Sequence, residues 1–123
     1  MSAKVLVVDD SGFARRTLRR ILEEHGFGVE EAASGAEALA KYPQSKPDVV
    51  FLDLVMEGMQ GVEVLKKLLE VDPKVKIVVA TADVQKATHK EMLSAGASAL
   101  VNKPFRPEEV IGEVRRIIES DGP

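Results

Sequence analysis

The chain has no cysteine, which excludes disulfides, thiol catalysis and thiolate metal sites outright. It also lacks any apolar stretch near the ~20 residues that a bilayer-spanning helix needs, so no membrane insertion is expected. No signal peptide is expected, because Met1-Ser-Ala-Lys4 runs straight into a strand-like segment. Both features fit the cytoplasm. A surplus of positive charge is missing as well. The chain has 17 Lys and Arg against 20 Asp and Glu, a formal net charge of −3. Nucleic-acid binding rests on Lys and Arg neutralising phosphates, so no direct nucleic-acid partner is expected.

What is present fits one domain. With 123 residues, 45% hydrophobic and 30% charged, the chain belongs to the soluble globular class. A fold of this size buries about two-thirds of its unfolded surface. Residues 1–123 read as a single domain with no output domain attached.

Short runs rich in Val and Ile recur at Lys4–Val8, Gly28–Ala32 (the weakest), Val49–Leu52, Lys76–Ala80 and Ser98–Val101. Helical spacing fills the intervals. Phe13–His25 sets Phe13, Ala14, Thr17, Leu18, Ile21 and Leu22 on one stripe, with Arg15, Arg16, Arg19 and Arg20 mostly off it, and Gly26 stops it. Ser34-Gly-Ala-Glu37 is a capping box that opens a second helix, expected to end before Pro43. Gly61–Val71 turns Val62, Leu65, Leu68 and Leu69 inward, and a fourth helix runs from about Val84 to Ala95 and stops at Gly96. The last helix opens with Pro107-Glu108-Glu109 and carries Arg115 and Arg116 toward its far end, which complements the helix dipole. Five βα repeats predict a five-stranded parallel sheet with right-handed crossovers and helices on both faces. Unbroken apolar runs suit strands buried on both sides.

The chemistry collects at the strand tips. Asp9 and Asp10 follow the first run, Asp53 the third, Thr81 the fourth and Lys103 the fifth. In an open parallel sheet the carboxyl ends of the strands form the binding edge, so all five groups are expected to converge there. Two carboxylates 4 Å apart repel by about 4 kcal/mol at an effective dielectric near 20. A cluster of three therefore either raises a pKa or binds a cation. Oxygen-only ligands favour Mg²⁺ or Mn²⁺ over zinc. Capping of the first helix by Asp9, Asp10 and Ser11 is the plainer reading, but it accounts for one acid and not for two together with Asp53.

Taken together, Val-Leu-Val-Val-Asp9-Asp10-Ser, Asp53-Leu-Val-Met-Glu-Gly-Met-Gln-Gly61, Ala80-Thr81-Ala82, Ala95-Gly96-Ala97 and Lys103-Pro104-Phe105 resemble a response-regulator receiver domain of the CheY type. The likeness covers nearly the whole chain. It implies a flavodoxin/CheY-like fold, and the strand order 2-1-3-4-5 is taken over from that family. It implies that Asp53 accepts a phosphoryl group from a sensor histidine kinase, a phosphotransfer protein or a small phosphodonor. Mg²⁺ would be held by Asp10, Asp53 and the backbone carbonyl of Val55, with Asp9 acting through water. Lys103 would pair with the phosphoryl group, Thr81 would donate its hydroxyl to it, and Lys103-Pro104 would be cis. The result is a signalling protein and not a conventional enzyme.

Several positions depart from the family's pattern. Leu100 stands where an aromatic switch residue is usual, Glu57 where Pro is common and Gln60 where Asp is common. Val55 and Asp83, two places after Asp53 and Thr81, govern water access to the acyl phosphate in the family, and Ala82 belongs to the same tuning set. The downstream partner is expected on residues 84–120, with Lys86, Lys90, Glu91 and Arg106 as contacts, and a phosphatase is a further partner. The four arginines of the first helix read as a solvated face or as a docking surface for the phosphodonor. His25 and His89 read as cap or surface residues.

Other functions fit less well. A haloacid-dehalogenase-type phosphatase needs a second acid two places after its first-strand nucleophile, where this chain has Ser11. A flavin or dinucleotide binder needs an uncharged Gly-rich turn, where this chain has Asp9-Asp10-Ser11-Gly12. A degenerate receiver, acting as a protein-interaction module without phosphorylation, is the remaining alternative.

Overall fold

Among the described residues, ten elements alternate strictly in chain order: β1 (Lys4–Val8), α1 (Gly12–Glu24), β2 (Gly28–Ala32), α2 (Gly35–Ser45), β3 (Val49–Asp53), α3 (Gly61–Val71), β4 (Ile77–Thr81), α4 (Lys86–Ala95), β5 (Ala99–Asn102) and α5 (Pro107–Ser120). The computed structural model describes residues 3–54, 56, 60–82 and 86–120, without the side chains of 86–88 and 120. The strands form one parallel sheet in the order β2-β1-β3-β4-β5. The order reverses between β1 and β3, which opens a crevice at their carboxyl ends.

The two-residue period of the strands divides the core in two. Val5, Val7, Val49, Phe51, Val78, Ala80, Ala99 and Val101 pack with Leu18, Ile21 and Leu22 of α1 and with Val110, Ile111, Val114 and Ile117 of α5. Leu6, Val8, Val50, Leu52, Ile77 and Val79 pack with Ala38 and Tyr42 of α2, Val64, Leu65 and Leu68 of α3 and Met92 of α4. Central strands buried on both faces require apolar residues at every position, which is why β1, β3 and β4 read as unbroken runs. β2 lies at the edge, and its Val29, Glu30 and Glu31 are only half-buried.

One helix boundary needs correcting. Pro43 does not end α2; it lies inside the helix, which continues to Ser45 and stops at Lys46, a left-handed residue whose amide donates to Tyr42 O at 2.9 Å. A helical proline forgoes one backbone bond, but the buried Tyr42 and Ser45 on either side anchor this last turn. In α3 the expected Val62, Leu65, Leu68 and Leu69 do pack inward, Leu65 and Leu68 buried and Val62 and Leu69 partly covered, and Val64 is buried with them. The capping box also differs in detail. Ser34 Oγ accepts from the Glu37 amide at 3.1 Å, while Glu37 accepts from Ala33, one residue before the cap, at 2.8 Å.

Gly61 connects the fold to the binding edge. Its amide donates to Leu54 O at 3.0 Å, and a Cβ there would lie 2.6 Å from the carbonyl oxygens of Asp53 and Leu54. Those obstacles are backbone atoms and cannot rotate away. Gly61→Ala is expected to destabilise the domain by about 2 kcal/mol or more, read as a lower urea midpoint with an unchanged slope.

Candidate functional site

The strand period continues past the ends of β1 and β5. Asp9 donates its amide to Ala32 O at 3.1 Å and Lys103 donates its amide to Thr81 O at 2.9 Å, so both residues extend the ladder. Odd positions therefore carry the α1/α5 face onward from Val5 and Val7 to Asp9, from Val49 and Phe51 to Asp53, and from Ala99 and Val101 to Lys103. These three side chains meet. Lys103 Nζ lies 2.8 Å from Asp9 Oδ2 and 3.2 Å from Asp53 Oδ1. Asp9 and Asp53 are both buried, at 3% and 8% exposure, so the ion pairs sit largely out of water. Asp10, next along the turn, completes a trio of carboxylates whose ligand oxygens lie within 4.8 Å of one another.

The β1–α1 turn is fixed from several sides. Ser11 donates its amide to Asp9 Oδ1 at 2.9 Å, and its own Oγ caps α1 by accepting from Ala14 N at 3.2 Å. Thus Ser11, not an aspartate, is the helix cap, and the acids are left to the crevice. Lys103 follows β5, joined to Pro104 by a cis peptide bond, and its ammonium stands 5.9 Å from the centre of the Phe105 ring. Burial lowers the pKa of this lysine. The hydrogen bond to Asp9 and the charges of Asp53 and Asp9 outweigh burial and hold it above the ordinary value.

Thr81 ends β4, buried at 3% exposure. Its position continues the Ile77, Val79 series of the opposite face, the face on which Leu100 packs. Ala82 is exposed at the edge. Val55 and Asp83 lie outside the described residues, as do Glu57 and the side chain of Lys86. Gln60 caps α3 through its backbone without a side-chain hydrogen bond. On the expected partner face, Lys90, Glu91 and Arg106 are exposed, and Leu93 is 50% exposed. His25 is the C-cap of α1, with Nδ1 2.9 Å from Ile21 O, and His89 is half-buried on α4.

Beside Lys103 lies a groove of about 190 Å³ formed by Phe13, Ala14 and Thr17 with Pro104 and Phe105. Phe13 is 74% exposed. The α1 arginines divide by spacing. Arg16 is exposed and lies four residues from the exposed Arg20, whereas Arg15 and Arg19 are half-buried and both reach Glu31 on β2. Arg15 also donates to the backbone carbonyl of Asp9. Sequence reasoning grouped all four arginines and overlooked Glu31. The signal available was the four-residue spacing of Arg15 and Arg19.

The Response regulator receiver domain model matches residues 5–115. The chain belongs to the response regulator receiver domain family. It is 38% identical to the chemotaxis protein CheY of Thermotoga maritima over 118 residues, covering 95% of this chain and 98% of that protein. Identity to the CheY of Bacillus subtilis is 33% over 119 residues, covering 96% of this chain and 99% of that protein. Among solved structures, the chemotaxis protein CheY4 of Vibrio cholerae superposes with a TM-score of 0.90 at 34% identity, covering 95% of this chain and 99% of that one. The receiver is thus a CheY-like protein of two-component signalling, and its acidic cluster is compatible with Mg²⁺. No helix among its described residues is long and apolar enough to cross a membrane.

The raised pKa of Lys103 has a testable sign. Its ion pairs stabilise the receiver fully below the lysine's ordinary value of 10.5 and lose that contribution as pH rises through the higher folded value. In metal-free buffer, NMR titration of the Lys103 side chain is expected to show a midpoint above that of a free lysine. Asp9→Asn should move the midpoint down.

Proposed function

We propose that this receiver is a stand-alone phosphoacceptor that takes a phosphoryl group on Asp53 and signals by altered partner binding. The observation that carries this is the bridge from Lys103 to both Asp9 and Asp53, with Asp10 completing the acidic trio. A nucleophilic carboxylate, an acidic pair beside it and a cation poised over both is the charge pattern that phosphoryl transfer needs. CheY-type relatives that this chain matches over nearly their whole length support the single-domain reading over residues 1–123.

The Asp53 carboxylate oxygen attacks the phosphorus of a phosphohistidine in line. The P–O bond forms as the P–N bond breaks, and the electron pair leaves with the imidazole nitrogen. Asp9, Asp10 and Asp53 offer hard oxygen ligands within 4.8 Å, a donor set that fits Mg²⁺ or Mn²⁺; the family resemblance would add the backbone carbonyl of Val55, which lies outside the described residues. Bound there, the cation supplies positive charge against the phosphoryl oxygens. Lys103 exchanges its contact with the Asp53 carboxylate for one with the transferred group, a move that suits a flexible point charge. Thr81 donates its hydroxyl to a phosphoryl oxygen. Leu100 packs on the same sheet face as Val79 of the Thr81 strand, so it would relay the change to α4, β5 and α5. Ala82, Asp83 and Val55 tune water access. Such self-modification is not turnover of a substrate, so the protein is no conventional enzyme.

The donor is a histidine kinase or phosphotransfer protein seated on α1. Exposed Phe13 and its groove suit an apolar anchor, and Arg16 and Arg20 suit acidic neighbours on the donor. The listening partner binds the 84–120 face through residues such as Lys90, Glu91 and Arg106, and a phosphatase acts on the same state. The cytoplasm is the expected compartment.

The test is intact mass after incubation with acetyl phosphate and Mg²⁺, run beside Asp53→Asn. One phosphoryl group should be gained, and the gain should be lost in the mutant and in EDTA. No gain from acetyl phosphate or from a cognate phosphohistidine donor would make the chain a phosphorylation-independent interaction module. An apolar Val55 cannot orient a hydrolytic water, so Val55→Asn is expected to shorten the lifetime of the phosphorylated form, read by the decay of that mass.

A further inference from the structure

Asp9 is gripped on both sides of its backbone from the edge strand β2. Its amide donates to Ala32 O at 3.1 Å, and its carbonyl accepts from an Arg15 guanidinium nitrogen. That guanidinium is itself aimed. Arg15 Nε donates to Glu31 Oε1 at 3.0 Å, and the second oxygen of Glu31 accepts from Arg19 at 2.7 Å. The hydrogen bond from Arg19, with help from Arg15, outweighs the cost of burial and holds the Glu31 carboxyl below its ordinary pKa. Glu31 immediately precedes Ala32, so β2 supplies both halves of the clamp. Two half-buried arginines sharing one half-buried carboxylate form a planar, pre-oriented fork that a lysine cannot reproduce.

We infer that Arg15, oriented by Glu31, is a positioning residue for the acidic trio. It fixes the peptide between Asp9 and Asp10 and thereby sets where both carboxylates sit relative to Asp53. The inference rests on the proposed cation-dependent phosphoacceptor reading, and it goes beyond it by giving a role to a residue that touches neither phosphoryl group nor cation. The sign of the effect separates positioning from simple charge. Arg15 is a positive charge close to a cation site, so on charge alone its removal should tighten cation binding. Positioning predicts weaker binding, because misplaced carboxylates lose more than the charge returns. Hydrogen-bonding partners of metal ligands are worth about tenfold or more in affinity.

The experiment is a Mg²⁺ titration of the full chain followed by ¹H–¹⁵N amide shifts, with no phosphodonor present. Arg15→Met and Arg15→Lys are each expected to raise the Kd about tenfold, with shifted Asp10 and Ser11 amide signals before any metal is added. Arg116→Met removes an equal charge from α5, where Arg116 pairs with Glu113, and should leave the Kd unchanged. Glu31→Gln should weaken binding in the same direction but less, and it serves if Arg15→Met does not fold. A Kd as low as wild type or lower in Arg15→Met, or a wild-type Kd in Arg15→Lys, overturns the inference alone. A wild-type chain that neither binds Mg²⁺ nor gains a phosphoryl group overturns the underlying reading and the inference with it.

Discussion

Three carboxylates on one sheet edge repel one another, and the site exists because a single ammonium is held between two of them. At the 4.8 Å spanned by the trio, each like-charge pair costs about 3–4 kcal/mol at an effective dielectric near 20. Lys103 offsets this through contacts at 2.8 Å and 3.2 Å with Asp9 and Asp53. Within this foursome three negative charges face one positive charge. The imbalance makes the edge compatible with a divalent cation, and under the proposed function an arriving phosphoryl group would give Lys103 a new partner. Positioning of Lys103 against these two acids is therefore the constraint that the turn after β1, the end of β3 and the loop after β5 all serve.

The scaffold meets that constraint with a simple device. Strand periodicity sends Asp9, Asp53 and Lys103 to the α1/α5 face and Thr81 to the other, where Leu100 packs. The two faces are joined through adjacent strands β4 and β5, whose register sets Val79 against Leu100 and Thr81 against Asn102. Local clamps do the rest: Gly61 lets α3 start against the carbonyls of Asp53 and Leu54, Ser11 caps α1, and the Glu31–Arg15 pair fixes the turn from β2.

Much of this was legible in the sequence because it depends on local pattern. Unbroken apolar runs marked β1, β3 and β4, a terminal glycine marked the end of α4 at Gly96, and polar residues at strand tips marked the edge itself. What was missed depends on tertiary context. Pro43 is a helix breaker in isolation, and only the burial of Tyr42 and Ser45 shows why the turn survives. Arg15 and Arg16 are neighbours of one type in the chain. Their difference, one reaching Asp9 and Glu31 and the other facing solvent, arises from where β2 lies beside α1. Lys103 bridging two acids was expected only as convergence on one edge; its pairing with Asp9 as well as Asp53 required the sheet.

Asp53, among the three clustered acids, is the proposed site of the acyl phosphate. Borohydride reduction tests it most directly, because it converts an aspartyl phosphate to homoserine and leaves free aspartate untouched. After treatment with acetyl phosphate and Mg²⁺, peptide mapping should find homoserine at position 53 and aspartate at positions 9 and 10. Homoserine at either of those positions, or a phosphoryl group retained with all three aspartates intact, would contradict the account.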